Sequence, residues 1–147
     1  MIIKLYTIGF GKKNAEEFFG LLKKHKIERL LDIRESNSNI YAGFTMRQNF
    51  PFFLNNILGI EYIELKSLAP TKELRVTYHN DKKSNWKQYK EGYIELLDSR
   101  KITDAIDVNI LNNAVLLCSE PTPERCHRRL AAEYLEKIYD KIKIIHL

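Results

Sequence analysis

The chain has 147 residues, a hydrophobic content of 44%, a charged content of 29% and a formal net charge of +5; this composition excludes the disordered and fibrous classes and predicts a single domain over residues 1–147 with one core. No apolar run approaches the roughly 20 residues that span a bilayer, and Lys4 interrupts the apolar opening where a signal peptide would develop. We therefore expect a cytoplasmic protein that does not associate with membranes.

The first part of the chain alternates strand-like and helix-like patterns. Residues 2–8 are nearly all apolar, as in a strand that is buried on both faces. Asn14 can cap the helix that follows, and residues 28–34 predict a second short strand. Residues 35–45 are polar and have no period, which predicts a loop, and residues 46–58 predict a helix that a glycine ends.

The middle of the chain combines one strand, a long polar stretch and two helices. Residues 61–65 predict the third strand, and residues 66–85 predict an irregular segment. Residues 86–100 have the apolar spacing of an amphipathic helix, and residues 103–109 predict a shorter one.

The last part of the chain returns to strands around one more helix. Residues 113–118 predict the fourth strand and residues 141–146 the fifth. Residues 123–139 predict the last helix, with Thr122 as its N-cap and Pro123 at its first position, where the missing N–H costs nothing.

Strands that alternate with helices in this way indicate βαβ units. We therefore predict an α/β fold with a mostly parallel sheet of about five strands between helices, a Rossmann-like three-layer arrangement. The pattern does not indicate the order of the strands or an oligomeric state.

Residues with reactive side chains follow several of the predicted strands. In open α/β sheets the loops after the carboxyl ends of the strands converge on one edge, where ligands bind. The residues expected at this edge are Gly9, Asp32, Arg34, Cys118 and Glu120, with Cys126, His127 and Arg128 from the start of the last helix.

The two thiols suggest covalent chemistry. A helix N-terminus and nearby arginines should lower the pKa of Cys126. Either Cys118 or Cys126 could then act as a nucleophile, with His127 or Glu120 carrying the proton. The simpler alternative is a core thiol beside a histidine that a backbone carbonyl satisfies.

The arginines suggest an anionic substrate. The helix dipole disfavours a guanidinium at the helix N-terminus, and a bound anion would reverse that penalty. Arg128 could therefore hold a phosphate together with Arg34. Glu120 or Asp32 would then serve in proton transfer. Our leading hypothesis is an enzyme that acts on a phosphate-bearing substrate, either a nucleotide or a nucleic acid.

Two other functions are compatible with the same residues. Cys118, Cys126, His127 and Glu120 could form a structural metal site, although their spacing matches no common zinc motif. The isoelectric point near 9.1 and the tyrosines and lysines between residues 62 and 93 could instead form a non-catalytic module that binds nucleic acid or a partner. The pattern identifies no cofactor.

Six short blocks, in this order along the chain, resemble a known family. They are Thr7-Ile8-Gly9-Phe10, Asp32-Ile33-Arg34, Ala42-Gly43-Phe44-Thr45, Leu68-Ala69-Pro70-Thr71, Leu117-Cys118-Ser119-Glu120 and Cys126-His127-Arg128-Arg129. The chain resembles the domain of unknown function 488 (DUF488) family.

The resemblance implies a compact α/β domain of the prokaryotic cytoplasm without an established activity. It adds Thr7 to the residues expected at the sheet edge and supports treating them as one site. Within that site we assign catalysis to Cys118, Glu120, Cys126, His127 and Asp32, and substrate binding to Thr7, Gly9, Arg34 and Arg128.

Overall fold

The centre of the protein is a sheet of five parallel strands, seen in a computed structural model that describes residues 1–37 and 40–147. The strands are β1 (Ile3–Gly9), β2 (Arg29–Asp32), β3 (Glu61–Glu64), β4 (Ala114–Cys118) and β5 (Ile142–His146). Their order is β3-β2-β4-β1-β5, and every neighbouring pair is parallel. The predicted parallel sheet is confirmed, and β4 lies at its centre.

Helices cover both faces of this sheet. They are α1 (Ala15–Lys24), α2 (Phe50–Phe53), α3 (Lys72–Asn80), α4 (Trp86–Ser99), α5 (Ile102–Ala105) and α6 (His127–Ile138). Shorter helical turns are the 3₁₀ segments Ile40–Thr45, Lys66–Leu68 and Val108–Leu111 and the π-helical segment Leu54–Leu58.

The side chains of β4 alternate between two apolar clusters. Val115 and Leu117 pack in the cluster that contains the buried residues of α1 and α2. Ala114 and Leu116 pack in the other cluster, with the buried residues of α4, α5 and α6. The predicted three-layer α/β fold is therefore confirmed, and Cys118, two residues after Leu116, belongs to the α4 and α6 side.

The prediction of an irregular segment over 66–85 is wrong for α3. Thr71 caps this helix by accepting a hydrogen bond from the Leu74 N–H at 3.1 Å. Only Tyr78 is buried within α3, and its ring lies 4.7 Å from that of Tyr89 on α4. One buried position makes no apolar period, so packing against α4 rather than the local pattern defines this helix.

The helix predicted over 46–58 is shorter and less regular than expected. It begins at Phe50, widens into a π-helical turn over Leu54–Leu58, and ends at Gly59 with φ 67°, as the predicted glycine stop requires. Part of the predicted loop 35–45 forms the 3₁₀ segment Ile40–Thr45, and residues 38 and 39 of that loop lie outside the described residues.

Candidate functional site

The turn between β4 and α6 places both thiols at the carboxyl edge of the sheet. β4 ends on Cys118, and α6 begins at His127, with Cys126 as its N-cap. The Cys126 Sγ accepts the Arg128 N–H at 3.4 Å. The prediction of Thr122 as N-cap and Pro123 as first helical residue is therefore wrong, because the cysteine sulfur satisfies the helix donor and the preceding residues form a turn.

Cys118, Cys126 and His127 form one continuous group of contacts. The Cys126 thiol donates to the Cys118 Sγ at 2.7 Å, and the Cys118 Sγ lies 3.5 Å from the His127 Nδ1. The His127 Nε2 lies 2.8 Å from the backbone oxygen of Ile33. Because a carbonyl oxygen can only accept, Nε2 carries a proton, and Nδ1 is the ring atom that faces Cys118.

The charges of this group are coupled. Burial opposes ionisation of Cys118, but the thiol donated by Cys126 and the nearby His127 hold the pKa of Cys118 well below its usual range. Burial likewise opposes the imidazolium, yet the Cys118 charge and hydrogen bond raise the pKa of His127. Both shifts act in the direction of a Cys118 thiolate beside a His127 imidazolium.

Cys126 is the proton-bearing partner in the group. Burial first, and then the hydrogen bond to Cys118 and its charge, raise the pKa of Cys126 well above its usual range. The predicted lowering of the Cys126 pKa is therefore wrong. The helix N-terminus and Arg128 do lower this pKa as predicted, but burial and the contacts with Cys118 outweigh them.

Arg128 lies beneath the same turn and is fully buried. Its Nη1 donates to the Glu120 carbonyl oxygen, while Nε and Nη2 have no hydrogen-bond partner among the described residues. A Cβ at Gly9 would lie 1.6 Å from that carbonyl oxygen and 2.2 Å from Nη1. Gly9 is thus the residue that lets Arg128 and the turn approach the end of β1.

Asp32 and Arg34 form a buried ion pair at the end of β2. The Asp32 carboxylate accepts from the Arg34 Nε and Nη2, both at 2.8 Å, and from the Tyr62 hydroxyl at 2.5 Å. Arg34 also donates to the side-chain and backbone oxygens of Thr45. The pair ties β2 to β3 and to the 3₁₀ segment Ile40–Thr45.

Thr7 lies in β1 and faces the neighbouring strand β5. It is fully buried, and its hydroxyl lies 2.6 Å from the Nδ1 of His146 on β5. Burial and then Arg128 lower the pKa of His146. Thr7 therefore contacts the neighbouring strand and does not line the cavity that the thiols reach.

A cavity of about 360 Å³ opens over the thiols. Cys118, Cys126 and His127 line it together with the charged residues Arg34, Glu35, Arg75, His79, Lys83, Glu120 and Arg125. Three of these cations are paired, Arg34 with Asp32 at 2.8 Å, Arg75 with Glu35 at 2.8 Å and Lys83 with Glu120 at 2.6 Å. The lining cations outnumber the lining carboxylates, which suits an anionic ligand.

Aromatic rings complete the lining of the cavity. Phe10 follows β1, and Tyr78 and Tyr89 come from α3 and α4. Tyr89 also stacks on Tyr93, whose ring contacts His127 edge-on at 5.7 Å. The cavity thus combines apolar ring surface with cationic side chains, which is the pair of surfaces that a nucleotide requires.

Sequence reasoning missed that α3 belongs to the site. Arg75, Tyr78, His79 and Lys83 all reach the cavity from α3 or the turn after it. The interleaved tyrosines and lysines were the available signal, but they indicated a separate nucleic-acid surface. Only the packing of α3 on α4 brings them over the thiols.

Three ligand atoms of the site could hold a metal ion. The sulfurs of Cys118 and Cys126 and a ring nitrogen of His127 lie within 4.8 Å of one another, with no fourth candidate in their group among the described residues. Two zinc–sulfur bonds of about 2.3 Å in tetrahedral geometry would separate the sulfurs by roughly 3.8 Å. The two sulfurs lie 2.7 Å apart, closer than this spacing, so the arrangement described does not fit a bound ion.

Comparisons with known proteins give a family and no activity. A family model described as "Domain of unknown function DUF488" matches residues 14–135, which include both thiols, Asp32, Arg34 and α3. No curated protein and no solved structure matches the chain. Within the described residues, no helix is both long and apolar enough to cross a membrane.

Proposed function

The chain belongs to the DUF488 family, and from that premise we propose an enzyme in which the Cys118 thiolate attacks a phosphate-bearing substrate, either a nucleotide or a nucleic acid. The observation that carries this proposal is the Cys118–His127 contact of 3.5 Å at a cavity whose lining holds more arginine and lysine side chains than carboxylates. A thiolate paired with an imidazolium is the activated form of a cysteine nucleophile.

The opposite pKa shifts of the two thiols support Cys118, rather than Cys126, as the nucleophile. The Cys118 sulfur forms a bond to the electrophilic atom while the bond to the leaving group breaks. The His127 Nδ1 proton then passes to the leaving group, as a general acid provides it. The Nε2 contact with Ile33 keeps the ring in place during this transfer.

The phosphate is proposed as the handle of the substrate rather than as the atom attacked. Pro121 and Pro123 remove backbone N–H groups from the turn after Cys118, so that turn offers no continuous cradle for a phosphoryl group. Arg75, Lys83 and Arg125, which line the same cavity, can hold a phosphate. A base can stack on the aromatic residues of the lining.

The remaining predicted residues receive supporting roles in this proposal. Glu120 reaches the cavity and can exchange a proton when its partner Lys83 is engaged by substrate. Asp32 and Arg34 hold the edge in shape, and Thr7 and Gly9 position β1 under the turn. Arg128 supplies buried positive charge close to the thiols. A cytoplasmic location would keep both thiols reduced.

The substrate class can be tested with a matched pair of lysine variants. Lys83 lines the cavity and Lys82 does not, yet both have a left-handed backbone, with φ 58° and 54°. We expect Lys83→Ala to weaken binding of a nucleoside triphosphate roughly tenfold, because one charged hydrogen bond is lost, and Lys82→Ala to leave it nearly unchanged. Calorimetric titration of the purified protein measures both.

Measurements on the same purified variants distinguish the proposed enzyme from a non-catalytic binding module and from a structural metal site. Equal loss of binding in both lysine variants would point to a general charge effect and contradict the cavity assignment. Binding that survives Cys118→Ser, without any turnover by the unaltered protein, would favour the non-catalytic binding module. Stoichiometric zinc in protein purified without chelator or metal-binding tag would favour the structural metal site.

A further inference from the structure

The proposed function uses Cys126 only as a hydrogen-bond donor. Its sulfur nevertheless lies 2.7 Å from the Cys118 sulfur, and no side chain stands between them. Both residues are nearly fully buried, at 3% and 2% exposure. A second thiol in contact with a reactive thiolate is the arrangement in which an oxidised cysteine is captured as a disulfide.

We infer that Cys118 and Cys126 together reduce small hydroperoxides, passing through a Cys118–Cys126 disulfide that a small dithiol reduces. The inference rests on Cys118 being the thiolate of the proposed function, and it assigns to Cys126 the role of resolving cysteine.

The first step oxidises Cys118. Its thiolate attacks one oxygen of the hydroperoxide, the O–O bond breaks, and the departing alkoxide or hydroxide takes the His127 proton to leave as alcohol or water. Cys118 is then a sulfenic acid, and the peroxide has been reduced by the two electrons that the sulfur lost. His127 is within reach of the reacting oxygen because its Nδ1 already faces the Cys118 sulfur.

The second step closes the disulfide. Neutral His127 can accept the Cys126 proton, since the three ligand atoms all lie within 4.8 Å of one another. The Cys126 sulfur then attacks the Cys118 sulfur, the S–S bond forms, and hydroxide leaves with that proton as water. Attack of an external dithiol on the disulfide returns both thiols and yields the oxidised dithiol.

The burial of the pair selects the size of both co-reactants. The cavity of about 360 Å³ is the path by which a reagent meets the sulfurs. A cysteine of a folded partner protein could not enter it without displacing α3 or the turn after β4. The oxidant and the reductant are therefore a small hydroperoxide and a small dithiol.

Mass spectrometry of the full chain tests the inference without any substitution. The reduced, desalted protein is treated with one equivalent of hydrogen peroxide, digested under acidic conditions and mapped. We expect loss of both free thiols and a peptide in which Cys118 is linked to Cys126, with recovery of both thiols on addition of dithiothreitol. A sulfinic acid on Cys118 beside a free Cys126 would overturn the inference.

Serine variants separate this inference from the proposed function. Cys126→Ser should still consume one equivalent of peroxide, accumulate a sulfenic acid on Cys118 that dimedone traps, and lose dithiothreitol-driven turnover by more than about tenfold. Cys118→Ser should lose the peroxide reaction itself by a similar factor, because the thiolate is absent. If unaltered protein alkylates rapidly at Cys118 but forms no disulfide, only the resolving role fails; if Cys118 is inert to both reagents, the proposed function fails with it.

Discussion

Two residues of the same type behave oppositely in this protein because of where each one lies. Cys118 receives a thiol hydrogen bond and faces His127, whereas Cys126 donates that bond and faces a thiolate. Burial alone would raise the pKa of both. The difference between them comes from the contacts of Cys118 with residues eight and nine positions later in the sequence, which shift the two thiol pKa values in opposite directions.

The pH dependence of alkylation provides a test at the residue scale. Only the thiolate reacts with iodoacetamide, so the rate is lost as the pH falls through the pKa of the reacting thiol. Because Cys118 has a pKa well below its usual range, we expect its rate in the folded protein to stay high below pH of about 8.5, the midpoint of a free cysteine. Peptide mapping after short exposures measures that rate.

The Cys126→Ser variant serves as the control for this profile. A serine hydroxyl is a poorer match for the position and length of the thiol donor, so we expect the Cys118 midpoint to move upward. Protein unfolded in urea should show the ordinary midpoint for both cysteines. A folded-state midpoint at or above the urea value would mean that burial outweighs the contacts with Cys126 and His127.

At the scale of elements, the effect of replacing a glycine depends on whether it ends a helix or lies inside one. Gly59 ends the helical segment with φ 67°, a left-handed conformation that a Cβ disfavours. Gly20 lies inside α1, is exposed, and has open space where a Cβ would stand. The same substitution should therefore change stability in opposite directions at these two positions.

The free energy of unfolding in urea measures this contrast. We expect Gly59→Ala to lower it by about 1–2 kcal/mol, the cost of a left-handed alanine, and Gly20→Ala to raise it by about 0.5–1 kcal/mol, the helix propensity gained. Since neither Cβ would meet another atom within 4 Å, packing does not complicate the comparison. Changes of the same sign at Gly59 and Gly20 would show that the backbone conformation does not determine the effect of the substitution on the free energy of unfolding.

The helix α3 could not be predicted from the local sequence pattern. Its only buried residue is Tyr78, with Leu74 partly buried one turn before it, so its apolar stripe is too short to indicate a helix from the sequence. Its N-cap, Thr71, was visible in the sequence but stood before no apolar period. The contact between the tilted rings of Tyr78 on α3 and Tyr89 on α4, 4.7 Å apart, supplies stabilisation that the helix lacks on its own.

At the scale of the whole molecule, a buried ion pair connects the sheet to the segment that covers its edge. Asp32 is 1% exposed and Arg34 is 5% exposed, and the pair joins β2 to Tyr62 on β3 and to Thr45. Removing the carboxylate would leave a buried guanidinium without its counter-ion. Removing one partner of a buried ion pair lowers the free energy of unfolding by far more than the intact pair contributes to it.

We therefore expect Asp32→Ala to lower the free energy of unfolding by about 3–5 kcal/mol. Glu61→Ala is the matched control, because Glu61 pairs with Arg29 across the same two strands at 3.5 Å but is largely exposed; its loss should cost less than about 1 kcal/mol. Chemical denaturation measures both, and the double variant Asp32→Ala with Arg34→Met should recover part of the loss. Equal effects at Asp32 and Glu61 would refute a buried, closed network.

The sequence is sufficient to predict the three-layer α/β fold, because the alternation of apolar strands and amphipathic helices is a local property that can be recognised within short windows. It also determined which segments carry Cys118, Glu120, Cys126 and His127, since parallel strands send their carboxyl ends to one edge. The DUF488 membership rests on the same local blocks.

Three features depend on the tertiary structure: the strand order, the existence of α3 and the opposite pKa shifts of the two thiols. Each of these depends on distances between residues far apart in the chain, such as the 2.8 Å contact between the His127 Nε2 and the Ile33 carbonyl oxygen. The predicted lowering of the Cys126 pKa failed for the same reason. A helix end can be recognised in a sequence, but the charge of a neighbouring side chain depends on how the elements pack.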